Sequence, residues 1–152
     1  MARPRLSHVN ERGEARMVDV GAKPASERRA VARGMLRLGR ETITLIREGN
    51  APKGDVLGAA RIAGVMAAKK TADLIPLAHP LPLTHVSVDL VLVDDGVSIE
   101  ASAATTAQTG VEMEALAAVS VAALTVYDMA KAIDKEMAVS EVRLVEKTKE
   151  QV

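Results

Sequence analysis

Thirteen consecutive residues, "ALAAVSVAALTVY" from Ala115 to Tyr127, carry no charge, and acids flank the run: Glu112 and Glu114 before it, Asp128 after it. The run is too short to span a bilayer, which takes ~20 apolar residues. It is expected to be the middle of a helix reaching from Gly110 to about Ile133, roughly 36 Å at ~1.5 Å per residue. A helix middle that is dry on every side needs cover on more than one side. The rest of the chain must supply that cover without bulk, because Tyr127 is the only aromatic residue. The core therefore falls to Ala, Val, Leu, Ile and Met. Their small members let helices approach closely, and so light a core gains burial by oligomerising.

At 152 residues, 48% hydrophobic and 26% charged, the chain has the make-up of one globular domain. The expected layout is a partly flexible N-terminal arm over 1–25 and a folded core over 26–148. Cysteine is absent, which excludes disulfides, thiolate zinc sites and thiol nucleophiles. The first twenty residues hold no apolar stretch of secretory type, so a cytoplasmic location is expected. Net charge is zero, yet residues 1–40 carry ten Lys and Arg against four acids. Such a basic quarter suits phosphate or nucleic acid. A solvated strand face and a mobile arm account for it better, and without stacking aromatics no nucleic-acid partner is expected.

Between Arg28 and Leu38 the even positions are small or apolar, and Arg29, Arg33 and Arg37 fall on odd ones. Period two predicts a strand with one wet face. "ETITLIREGN" reads as a short helix ending at Gly49, and Asp55 as the N-cap of a helix running to about Leu74. Pro76, Pro80 and Pro82 then enforce an extended segment. Residues 85–105 alternate around "DDG" as a hairpin, and "MAVSEVRLVEKT" reads as a last strand after the long helix. "RMVDV" in the arm reads as a short extended piece. The order strand, helices, strand, strand, helix, strand is that of an α+β, ferredoxin-like fold: an antiparallel four-stranded sheet with helices on one face.

Phosphate-loop, dinucleotide and zinc-protease motifs do not occur, and His8, His79 and His85 lack ligand spacing. The expectation is no resident metal or cofactor, with Mg²⁺ entering only on substrate phosphates. Lys53 precedes a helix N-terminus beside Gly54, where an ammonium and free N–H groups suit an anion; a solvated loop lysine fits the spacing as well. His79 is flanked by prolines, which suits either a packed side chain or a fixed imidazole that binds phosphate or moves a proton. Asp128 and Lys131, three apart, share a helix face. They stand either as a surface ion pair or as an acid–base pair tuned by apolar surroundings. Glu112 and Glu114, two apart, are expected to point in largely different directions. Glu114 and Asp128 lie about 21 Å apart at 1.5 Å per residue, too far to serve one reacting atom. Either the substrate is long or another subunit completes each site.

The blocks "MVDV", "KGDV", "ARIAGVMAAKKTADLIPLAHPLPL", "TGVEMEALAAVSVAALTVYDMAKAID" and "VRLVEK" resemble the MoaC family of molybdenum-cofactor biosynthesis, from about Met17 to Lys147. The resemblance implies a lyase, a cyclic pyranopterin monophosphate synthase. Such an enzyme converts 3′,8-cyclo-7,8-dihydro-GTP to cyclic pyranopterin monophosphate and releases pyrophosphate, without a redox cofactor. It also implies a homohexamer, a trimer of dimers, with active sites at subunit interfaces. By the same resemblance Asp128 is the catalytic acid/base, with Lys131 and Lys53 as its partners. Leu77, Ala78 and His79 form one substrate-binding strip, Met113 and Glu114 the other, and Glu112 and Asp19 are further acids of the site. Two positions depart from the family pattern. Ala78 stands where many members have Cys, and Gln108 stands where a basic residue is common; the first-quarter arginines or Arg61 are the cations available to compensate for the latter.

Two other readings make different predictions. A nucleotide-binding module on the same scaffold would bind without turnover. RNA binding through the basic arm would show a steep salt dependence.

Overall fold

The alternation over residues 28–38 produces the strand at the heart of the sheet. In the computed structural model, which describes Pro4 and residues 6–152, β1 spans Ser26–Arg37. Ala30, Ala32 and Leu36 are buried on one face, while Arg29, Arg33 and Arg37 are exposed on the other. After it come α1 (Arg40–Arg47), α2 (Val56–Lys69), α3 (Thr71–Leu74), β2 (Leu83–Val93), β3 (Gly96–Ala107), α4 (Glu112–Ala130) and β4 (Ala138–Gln151). The strands pair antiparallel in the order β2-β3-β1-β4, and α2 and α4 pack together on the sheet. This is the ferredoxin-like α+β arrangement expected from the order of elements.

The small-residue core works by close approach. α4 buries Ala115, Ala118, Val119, Ala122, Ala123, Val126 and Ala130 against its neighbours. A Cβ on Gly34 of β1 would lie 2.6 Å from Val119 Cγ1, and one on Gly64 of α2 would lie 3.0 Å from the Ala118 carbonyl oxygen. The sheet and both helices therefore meet where glycine faces alanine or valine, and bulkier residues would hold them apart. By length and composition α4 could cross a membrane, but it is the central helix of this core.

Several boundaries differ from expectation for local reasons. The helix expected to run to Leu74 is interrupted at Lys70, whose backbone at φ −109° and ψ 14° leaves the helical region, and the short α3 follows, with the Thr71 hydroxyl donating to the carbonyls of Ala67 and Ala68. α4 is shorter than expected: it has 19 residues, about 28 Å. Turn structure follows, centred on Asp134. This buried carboxylate accepts from Gly39 N (2.7 Å), Thr42 Oγ1 (2.9 Å) and Glu136 N (3.0 Å), and so joins the start of α1 to the end of α4. β4 runs past residue 148 to Gln151 because it pairs along the whole of β1. In the arm, "RMVDV" joins no strand. Among the arm's described residues Val9 bridges Ala15, closed by Asn10 Oδ1 accepting from the N–H groups of Arg12 and Glu14.

Candidate active site

Two clusters occupy opposite ends of α4. At its C-terminal end, Lys53 arrives on a tight turn: Gly54, at φ 95°, donates to the Ala51 carbonyl, and Asp55 caps α2 by accepting from Gly58 N at 3.0 Å. That turn brings Lys53 Nζ to 3.4 Å from Asp128 Oδ2 and 3.3 Å from the Asp128 carbonyl. Lys131 Nζ holds the other carboxylate oxygen, Oδ1, at 2.8 Å. Residues 75 and 78 positions apart in sequence from Lys53 thus share one centre with it.

The electrostatics differ from the expectation of burial-tuned groups. Lys131 and Lys53 hold the Asp128 carboxyl below its ordinary value, and Asp128 in turn raises Lys131. The cause is mutual attraction, since the Asp128 and Lys131 side chains are 58% and 57% exposed in the single chain. A carboxylate carrying two ammoniums leaves one positive charge in excess, which suits a polyanion.

At the N-terminal end, six expected residues line one pocket of about 190 Å³: Leu77, Ala78, His79, Glu112, Met113 and Glu114. The proline-fixed segment forms one wall and the first turn of α4 the other. His79 Nε2 donates to the Val18 carbonyl at 2.7 Å, so its ring is held against the arm. Glu112 and Glu114 both line the pocket, but their other neighbours differ: Glu112 reaches β4, and Glu114 also lines an adjoining pocket with Lys69, Asp73 and His79. The helix only begins at Glu112, whose carboxylate folds back over Gly110, so the acids flank the helix end. Glu112 pairs with Lys147 Nζ of β4 at 2.7 Å. Burial raises Glu112, but hydrogen bonding to Lys147 and to its own N–H, with the charges of Lys147 and Arg28, brings it below its ordinary value. Glu114 is 4% exposed, and burial, with the charge of Glu112, pushes it up.

Asp19 is the one expected site residue not brought into either cluster. It is exposed, and its Oδ1 accepts from Gly21 N at 2.8 Å, one residue beyond the Val18 carbonyl that His79 holds. Sequence reasoning missed Lys147 and His8, which lines the pocket from the arm. Lys147 lies in "VRLVEK", but its partner is at the start of α4, and no local pattern signals that. At the Gln108 departure the neighbouring cation is Arg28, whose Nη2 donates to the Gln108 carbonyl at 3.4 Å. Arg61 is tied instead to the Val88 carbonyl of β2. A larger concavity of about 560 Å³ is lined partly by Glu27, Arg29, Glu146 and Glu150 and contains none of the expected site residues.

The model of the MoaC family matches residues 17–150. Curated relatives named cyclic pyranopterin monophosphate synthase include one from Novosphingobium aromaticivorans, 62% identical over 142 residues that cover 93% of this chain and 90% of the relative. One from Thermomicrobium roseum is 60% identical, covering 93% and 87%, and one from a Roseiflexus species is 60% identical, covering 94% and 92%.

Proposed function

The chain belongs to the MoaC family, and from that premise we propose that it is a cyclic pyranopterin monophosphate synthase. The enzyme takes 3′,8-cyclo-7,8-dihydro-GTP, closes a cyclic phosphate and releases pyrophosphate. The observation that carries this reading furthest is the convergence of Lys53 and Lys131 on Asp128 from distant parts of the chain. Closing the phosphate ring forms one P–O bond as the bond to pyrophosphate breaks, and charge grows on the departing oxygens. Two ammoniums at one point can offset that charge. As phosphate oxygens draw the lysines, Asp128 loses the attraction that holds its proton affinity down and becomes a better base. The pocket at the other end of α4 takes the ring system, with Glu112 and Glu114 facing its N–H edge and His79 held beside them.

The two clusters belong to different sites, each completed by another copy. A cavity of about 190 Å³ is small for a nucleotide, since ligand pockets run from ~300 Å³ upward. Met113, Leu124 and Tyr127 leave an exposed apolar stripe along α4 between the clusters, and Ile62 and Met66 are exposed on α2. Covering that stripe in a homohexamer, a trimer of dimers, would dry both ends and build the burial that the single chain lacks. Mg²⁺ enters on substrate phosphates without a resident site, and the enzyme is cytoplasmic.

Incubation with the cyclised nucleotide tests the reading. The protein is expected to yield cyclic pyranopterin monophosphate and pyrophosphate in equal amounts. Tight binding without either product would favour a nucleotide-binding module instead.

A further inference from the structure

The pocket holds two carboxylates two residues apart, and the sheet treats them differently. Glu112 receives Lys147 Nζ at 2.7 Å and feels the charge of Arg28 on β1. Glu114, almost fully buried, pairs with no cation among the described residues, and the charge acting on it is that of Glu112. Burial pushes both acids up, but the ammonium and N–H groups outweigh it only at Glu112. The other titratable groups lining this pocket are His79 and His8, from loops, and Glu114 also lines an adjoining pocket with Lys69 of α2 and Asp73 of α3, neither of which pairs with it. Neighbouring acids whose surroundings push their proton affinities apart are suited to opposite roles.

We propose that Lys147 is a positioning residue: its ion pair keeps Glu112 as the acceptor for N–H groups of the bound ring, and leaves Glu114 as the carboxyl that donates to a ring oxygen or nitrogen. The assignment rests on reading the pocket as the ring-binding end of the active site. An amide-edged heterocycle presents N–H donors and a carbonyl acceptor side by side. An ionised carboxylate only accepts, whereas a protonated one also donates, so one acid in each state satisfies both kinds of group. Lys147 reaches this site from the edge strand β4, with 57% of its side chain exposed, so changing it leaves the core intact.

The test follows the side-chain carboxyl carbons of Glu112 and Glu114 by NMR in ¹³C-glutamate-labelled protein, and steady-state pyrophosphate release, in wild type, Lys147→Met and Lys147→Arg. Wild-type Glu112 is expected to titrate below Glu114. Lys147→Met moves the Glu112 midpoint up and raises KM about tenfold or more, with kcat changed less than about threefold. Lys147→Arg restores both. The acid limb of kcat/KM moves to higher pH in Lys147→Met, because Glu112 then protonates earlier. Equal midpoints in wild type, or a Glu112 midpoint unmoved by Lys147→Met, would overturn the assignment. The titrations need no turnover, so a chain inactive on the cyclised nucleotide would refute the functional reading and leave this result to stand or fall separately.

Discussion

Lys131→Ala is expected to lower turnover of the cyclised nucleotide about 10³-fold while leaving the unfolding temperature within ~2 °C of wild type. The two halves of that expectation have different causes. Lys131 is 57% exposed, its ion pair is with Asp128 three residues away, and such pairs add little to stability. Its value lies in placing one of two positive charges where phosphate oxygens gain charge. Lys53→Ala should behave similarly, and the double variant should fall little further than either single one, because the two ammoniums act through one carboxylate. Pyrophosphate release and thermal melting, measured on the same preparations, check both halves. A Lys131→Ala protein within threefold of wild-type turnover would remove Lys131 from the mechanism.

The largest stability effect should come from a residue outside either cluster. Asp134→Ala is expected to cost about 3 kcal/mol, because it removes the acceptor for Gly39 N, Thr42 Oγ1 and Glu136 N at once in a buried place. For a chain of this length that lowers the melting temperature by about 6–12 °C. Burial pushes the Asp134 carboxyl up, yet the N–H groups of Gly39 and Glu136 and the Thr42 hydroxyl together hold it below its ordinary value. A depressed folded pKa adds stability that is fully present above the unfolded pKa of ~3.9 and is lost as pH falls through the folded one. The wild type should therefore lose stability more steeply than Asp134→Ala below about pH 4. Denaturant midpoints measured from pH 6 to pH 3 read this directly; parallel curves would deny Asp134 the role.

Much of the fold was legible because its signals are local. Alternation marked β1 and the hairpin, Asp55 marked the start of α2, and the uncharged run marked α4. What was hidden depends on partners far apart in the chain. Asp134 finds Gly39 only after folding. The Glu112–Lys147 pair joins the start of α4 to β4, which no spacing rule reveals. The centre at Asp128 was half visible: helical spacing joined it to Lys131, whereas Lys53 was tied to it only through the family resemblance. The two acids of "TGVEMEAL" share a pocket because α4 begins at Glu112, yet only Glu112 reaches β4.

Under the proposed function the two ends of α4 serve different sites, each finished by another copy of the chain. Mixing two inactive proteins tests it most directly. Glu114→Ala disables the pocket end and Lys131→Ala the other, and each assembled alone should be nearly inactive. Dissociated, combined in equal amounts and reassembled, they should recover up to about a quarter of wild-type pyrophosphate release, because a mixed pair at a two-fold interface contains one intact site out of two. Mixed assemblies shown by mass spectrometry to contain both chains, yet no more active than either variant alone, would contradict the account.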